Sequence, residues 1–70
     1  MNETIKGSDR NEVIRQIEEL LGSEGSRMGA EYVYNYLGGH YSSDARCCVV
    51  EFSPEQWAEA VIQIPAQAKP

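Results

Sequence analysis

Apolar residues recur every three to four positions between Asp9 and Leu21, which is the spacing of one side of an amphipathic helix. Ser8 or Asp9 can cap the start of such a helix, and Gly22 is a typical stop signal. Charged residues occupy the opposite side and can pair along it. The apolar side of this predicted first helix consists of Val13, Ile14, Ile17, Leu20 and Leu21.

In the second unit, Ser23 to Leu37, the spacing of apolar residues fits both a helix and a strand. As a helix it has a broad apolar side that ends at Gly38, and as a strand it has alternating tyrosines, which favour sheet. We favour the helix because its apolar side is wider and both ends carry turn residues. The helical set is Met28, Tyr32, Val33, Tyr36 and Leu37, and the alternating set is Tyr32, Tyr34 and Tyr36.

A loop is predicted over Gly38 to Asp44, where residues typical of turns are concentrated. Arg46 to Phe52 alternates as a short strand, with Glu51 on the outer side. A lone strand leaves backbone groups unpaired, so this one needs a partner. The partner can come from the preceding loop, from the N-terminal arm or from a second copy of the chain. The buried side of the strand is predicted to be Cys48, Val50 and Phe52.

A third helix, from Pro54 to about Gln63, has a complete set of start signals. Ser53 suits the N-cap, Pro54 the first helical position and Gln56 the third position of a capping box. Phe52 and Trp57 have the spacing of a hydrophobic staple across that cap. The helix must end before Pro65, because proline disfavours helical geometry in the residue before it.

These elements predict a mainly α, compact, three-helix single domain over residues 1–70, with one short strand or hairpin, and an α+β arrangement stays open. We expect a flexible arm at about residues 1–7 and a frayed tail at about 66–70. The predicted core consists of Val13, Ile14, Ile17, Leu20, Leu21, Tyr32, Val33, Tyr36, Leu37, Val50, Phe52, Trp57 and Val61.

Charge limits the class of partner. Eleven acids and six bases give a net charge of −5 at pH 7, which opposes direct binding of nucleic acid and suits a basic protein surface. No apolar run approaches the length of a membrane span, and the polar first residues do not resemble a signal peptide. We therefore expect a cytoplasmic protein without membrane contact, in which the adjacent Cys47 and Cys48 stay reduced and point to opposite sides of their strand.

Residues for chemistry are scarce. The single histidine, His40, lies in a glycine loop, and no C-x-x-C pair accompanies it, so no metal site and no cofactor are expected. A nucleophilic pair of Cys47 and His40 would need a positive pocket that an acidic chain does not offer. We predict that the protein is not an enzyme and has no catalytic residues.

Three glutamates form the strongest candidate for a binding site. Glu55 and Glu59 share one helix side, and Glu51 points outward from the preceding strand. Like charges at this spacing are mildly destabilising, so folding alone explains them poorly, although a solvated surface is the ordinary alternative. Further candidate partner-binding residues are Tyr34 and Arg27, on the outer side of the second helix, and Glu12 and Glu19, on the charged side of the first.

A small helix-turn-helix-like DNA-binding regulator of a phage or mobile element is the alternative function, because two helices flank a short glycine turn. A recognition helix should offer several bases and amides to the DNA. The second unit offers Arg27 and Asn35 alongside Glu24 and Glu31, so this alternative is the weaker one.

Three segments resemble small anti-CRISPR proteins, in particular inhibitors of type I effectors of the I-E kind, which phages and mobile elements carry. The segments are Glu19–Glu24, Cys48–Val50 and Ser53–Trp57. The resemblance implies an inhibitor in the bacterial host cytosol that binds a protein subunit of the CRISPR-Cas effector complex, or its recruited nuclease, on a basic surface meant for nucleic acid. A homodimer that pairs the lone strand stays open.

Overall fold

Three helices and a three-stranded antiparallel sheet form residues 2–68, the part of the chain that this computed structural model describes. This α+β arrangement confirms the alternative that the sequence left open. The prediction of one short strand or hairpin is wrong, because the sheet has three strands. Two short 3-10 turns, Gly22–Glu24 and Ala66–Ala68, complete the fold. In chain order the main elements are β1 (Glu3–Gly7), α1 (Arg10–Leu21), α2 (Arg27–Tyr36), β2 (His40–Ser42), β3 (Cys47–Phe52) and α3 (Pro54–Ile62).

β3 is the central strand and pairs antiparallel with β1 on one side and β2 on the other. The predicted flexible arm is therefore wrong over residues 3–7, where Ile5 pairs with Val50 and is buried. The predicted loop over 38–44 likewise contains a strand, in which Tyr41 pairs with Cys48. Both partners of β3 come from its own chain, which removes the reason for expecting a second copy to pair it.

Each helix begins at a polar cap. The Asp9 carboxylate accepts a hydrogen bond from the Glu12 N–H at 2.9 Å, and α1 ends at Gly22 with a positive φ of 59°, as predicted. At α3 the Ser53 hydroxyl accepts from the Gln56 N–H at 3.1 Å, and the Gln56 side chain accepts from the Ser53 N–H at 2.7 Å. This confirms the capping box.

The hydrophobic staple is present as well. The rings of Phe52 and Trp57 lie 5.1 Å apart between centroids, across the cap of α3. Phe52 is the last residue of β3, so this contact sets the direction in which α3 leaves the sheet.

The C-terminal turn is fastened to α2. The Ser26 hydroxyl accepts from the Gly29 N–H and donates to the Ala68 carbonyl. Residues 66–68 form a 3-10 turn with Ala68 buried, so the predicted frayed tail is wrong there. Residues 69–70 of that tail lie outside the described residues.

The helices cover one side of the sheet, because alternate β3 residues are buried while Glu51 is exposed. The predicted core is confirmed in α1 and β3, except that Leu20 is 62% exposed. In α2 the buried side is rotated: Tyr34 is buried and Tyr36 is 44% exposed, the reverse of the prediction. The core consists of Ile5, Val13, Ile14, Ile17, Leu21, Ala30, Val33, Tyr34, Cys48, Val50, Phe52, Ala60, Ile64 and Ala68, with Tyr32, Leu37, Trp57 and Val61 half-buried against it.

Small residues explain this rotation of α2. Gly29 and Ala30 are buried where α2 meets the rest of the molecule, and Gly29 lies against Ile64 and the Ala68 carbonyl. A helix approaches most closely on the side where its side chains are smallest. That contact turns Tyr34 inward, and its ring then packs directly on Gly39.

The first prediction tests β1 as a structural strand. Ile5→Thr replaces a buried side chain by one with a hydroxyl, and we expect it to lower the free energy of unfolding by about 1–3 kcal/mol. Lys6→Thr, at the exposed neighbouring position, should change it by less than about 0.5 kcal/mol. Urea unfolding measures both. Equal effects would mean that residues 3–7 do not pair with β3.

The second prediction tests the contact of Tyr34 with Gly39. A Cβ at position 39 would overlap the Tyr34 ring, so Gly39→Ala should destabilise the fold by about 1–3 kcal/mol through overpacking. Ser43→Ala, in the exposed turn nearby, is the matched control and should stay within about 0.5 kcal/mol of the parent. Thermal unfolding followed by circular dichroism distinguishes them, and a neutral Gly39→Ala would contradict a buried Tyr34.

Candidate partner-binding surface

The three glutamates of the predicted site are exposed on two elements. Glu55 and Glu59 lie on the exposed side of α3, and Glu51 lies on the outer face of the sheet, opposite Thr4 of β1. The chain from Cys47 to Ala68 contains no lysine or arginine. Among residues 2–68, none of the three glutamates forms a salt bridge. Glu55 and Glu59 therefore make the exposed side of α3 a source of negative potential. Glu51 lies on the other face of the sheet, where Lys6 is its diagonal neighbour on β1.

Glu59 has one polar neighbour from another helix. Partial desolvation and then the Glu59 carboxylate raise the pKa of the Tyr36 phenol, which lies at the end of α2. A phenol beside a carboxylate stays protonated and can donate to it. Glu55 lies in the first turn of α3, where a carboxylate favours the helix dipole.

The outer face of the sheet has a different character. Lys6, Val49 and His40 lie side by side across the three strands, and Ser42 lies beside Cys47 in the next row. His40 Nδ1 is 3.0 Å from the Gly38 carbonyl oxygen. His40 and Cys47 are diagonal neighbours on this outer face.

Arg27 is engaged within the chain. Its guanidinium donates to the Asn11 side chain at 2.8 Å and lies 3.7 Å from the Glu31 carboxylate. Glu31 also pairs with Arg10 at 3.6 Å, and Arg10 stacks over the ring of Tyr34. This network joins α1 to α2, so Arg27 has a structural role besides the interface role that the sequence suggested.

Tyr34 is not available to a partner. We predicted it on the outer side of α2, but it is 3% exposed. Burial and then the neighbouring Cys48 raise the pKa of its phenol, while the Arg10 guanidinium opposes that shift.

Cys48 is buried and Cys47 half-buried, and both are free thiols on opposite sides of β3, as expected from adjacent positions in a strand.

Glu12 and Glu19 occupy the same side of α1, two turns apart. Glu12 is half-buried and accepts a hydrogen bond from the Ser8 hydroxyl at 2.6 Å, so it supports the start of the helix. Glu19 is exposed beside Leu20, near the end of the same helix. Of the two, Glu19 is the one placed to meet a partner.

An apolar groove between the end of α1 and α3 was missed by the sequence reasoning, which assigned Leu20 to the core. Leu20 is 62% exposed and Ile62 is 75% exposed on facing walls. One hollow of about 290 Å³ is lined by Leu20, Leu21, Trp57, Ala58, Val61 and Ile62. A second hollow of about 220 Å³ continues it and is lined by Glu3, Leu20, Phe52, Pro54 and Trp57. The sequence feature that could have indicated the groove is Ile62, an apolar residue of α3 that does not lie on the side facing the core.

Two further observations bear on the class of site. Within residues 2–68, no group of three or more His, Cys, Asp and Glu side chains is arranged to hold a metal ion. The helices of the described region are all too short or too polar to cross a bilayer.

Comparison of the chain with protein-family models, with curated proteins and with solved structures finds no match. The resemblance to anti-CRISPR proteins therefore depends on the short sequence segments alone.

The third prediction concerns Tyr34 and pH. Because its pKa is raised in the folded state, the unfolded chain releases the phenol proton first. The stabilising contribution is complete below about pH 10 and is lost as the pH rises through the folded-state pKa. Urea unfolding between pH 8 and 11 should show a steeper loss of stability in the parent than in Tyr34→Phe. Identical slopes would contradict this assignment.

Proposed function

We propose that the protein is a small, acidic, non-enzymatic binding module that occupies a basic surface of a protein partner. The observation that carries the proposal is the uninterrupted acidity of the chain from Cys47 to Ala68, which includes Glu51, Glu55 and Glu59 and no base. Charge complementarity of this kind accelerates association and selects against acidic partners. The exposed apolar groove beside α3 adds a surface that can be desolvated on binding.

The proposed partner is a protein that handles nucleic acid, because such proteins carry basic surfaces of the required sign. The resemblance of three segments to anti-CRISPR proteins makes a type I CRISPR-Cas effector complex, or its recruited nuclease, the specific candidate. In this proposal the acidic side chains compete with nucleic-acid phosphates in the bacterial cytosol. The free thiols of Cys47 and Cys48 are compatible with that reducing compartment.

Direct DNA binding has less support. In the helix-turn-helix alternative α2 would read the bases, but its Arg27 is already held by Asn11 and Glu31. The exposed positions of α2 include Met28 and Tyr36, which are not base-reading side chains. A gel shift with random duplex at low salt separates the two functions, since the proposed module should not retard DNA, whereas tight, salt-sensitive binding would favour the regulator.

The fourth prediction tests the acidic side chains. The tagged parent should recover a ribonucleoprotein effector from a lysate of a type I CRISPR bacterium, and it should suppress binding of target DNA by the purified complex. The triple variant Glu51→Lys, Glu55→Lys, Glu59→Lys should lose at least about tenfold in inhibition, since each reversed charge meets a like charge. The parent's inhibition should also weaken as salt rises.

A charge-matched control separates this effect from net charge. Glu18→Lys, Asp44→Lys, Asn35→Lys and Ser43→Lys together change the total charge by the same amount but lie on α1, on α2 and in the turn before β3. This control should inhibit nearly as well as the parent. Full inhibition by the first triple variant would show that Glu51, Glu55 and Glu59 form only a solvated surface. Failure of the parent to bind any effector would exclude the CRISPR assignment.

A further inference from the structure

The apolar groove between α1 and α3 combines exposed aliphatic side chains with an acidic border. Leu20 and Ile62 form its walls, and the half-buried Trp57 and Val61 form its floor. Glu3 lines its far end, and among residues 2–68 no lysine or arginine lines either hollow. Exposed apolar groups clustered in a concave site, rather than scattered singly, mark an interaction surface.

The size of the groove indicates what fits it. Its two hollows, of about 220 and 290 Å³, meet at Leu20 and Trp57 and so form an elongated groove open at the surface. Such a shape suits successive side chains of an extended or helical segment. The groove runs alongside α3, whose nine residues extend about 13 Å, or two to three helical turns. An amphipathic helix of that length can place two apolar side chains, one or two turns apart, into the two hollows.

The border indicates the charge of the occupant. Glu55 and Glu59 precede Ile62 by seven and three positions, so they stand beside it on the exposed side of α3. Glu19 precedes Leu20 in α1 and is exposed, and Glu3 lines one end of the groove. A helix that enters this groove therefore meets a carboxylate at one end and another, Glu55, beside Ile62.

A second copy of the chain is a poor occupant. In a two-fold symmetric dimer the same surface faces itself, so Glu55 and Glu59 of each copy would approach like charges. Lysines or arginines on the flanks of a partner helix would be attracted instead.

From these observations we infer that the groove is the docking site for a basic amphipathic helix of the partner protein. The helix inserts two apolar side chains between Leu20 and Ile62 and directs its lysines or arginines at Glu3, Glu19, Glu55 and Glu59. This inference rests on the proposed function and specifies the partner segment that the acidic module recognises.

Trp57 is the single tryptophan and lines both hollows, so its fluorescence reports directly on occupancy. The probe is a synthetic helical peptide of about 15 residues, with leucines at i, i+4 and i+7 and lysines on both flanks. One comparison peptide carries glutamates in place of the lysines, and another has the same composition in shuffled order. The lysine peptide should shift the Trp57 emission in a saturable way, and the two comparison peptides should bind at least about tenfold more weakly.

Variants of the full-length protein locate the binding. Ile62→Ser and Leu20→Ser remove exposed apolar groups, so they should leave the fold intact by circular dichroism and weaken binding of the lysine peptide about tenfold. Met28→Ser removes a comparably exposed side chain, 59% exposed on α2 and outside both hollows, and should bind like the parent.

Three results would overturn the inference. The first is no emission change with the lysine peptide, the second is equal binding by the parent and Ile62→Ser, and the third is a concentration-dependent dimer in sedimentation that Ile62→Ser abolishes. The proposed function fails separately. If Ile62→Ser still inhibits the effector while the triple lysine variant of Glu51, Glu55 and Glu59 does not, the groove assignment falls and the acidic module stands. If the parent binds no effector, the peptide titration still decides the groove.

Discussion

Antiparallel pairing on both sides of β3 is the constraint on which the rest of the structure depends. The strand takes one neighbour from the start of the chain and the other from the residues just before it. Within the chain, β1 pairs with residues 48–52 of β3 and β2 with residues 47–49. Because Cys48, Val50 and Phe52 then face one side, all three helices must cover that side. The Phe52 ring also contacts Trp57, so the same strand orients α3 and with it the groove and the glutamates.

Charge is distributed unevenly over this frame. Arg10 and Arg27 converge on Glu31 and join the two long helices, where they are neutralised within the chain. Within residues 2–68, neither glutamate of α3 forms a salt bridge with a lysine or arginine. The net charge of −5 thus understates the local charge on α3, because Arg10 and Arg27 are paired with Glu31 between α1 and α2.

The helices and their caps were predictable because the signals are local: the periodicity of α1, the capping box at Ser53 and the stop at Gly22 depend only on neighbouring residues. β1 was not predictable, since Glu3–Gly7 has one large apolar residue and becomes a strand only through β3. The orientation of α2 depends on close contacts of Gly29 and Ala30, which the spacing of apolar residues along the sequence does not reveal. Of the site, the exposed glutamates were predicted, whereas the groove required knowing that Leu20 faces outward.

The pairing of β1 with β3 also governs how the chain folds in time. Glu3 precedes its partner Phe52 by 49 residues along the chain. During synthesis, α1 and α2 can form and associate locally, while β1 has no strand partner until β3 has emerged. Because so many residues separate β1 from β3, bringing the two strands together costs conformational entropy before their hydrogen bonds and side-chain contacts can form. Pairing of β1 with β3 is therefore expected after the local elements, and nascent chains that end before β3 expose Ile5 and the sheet-facing side of α1.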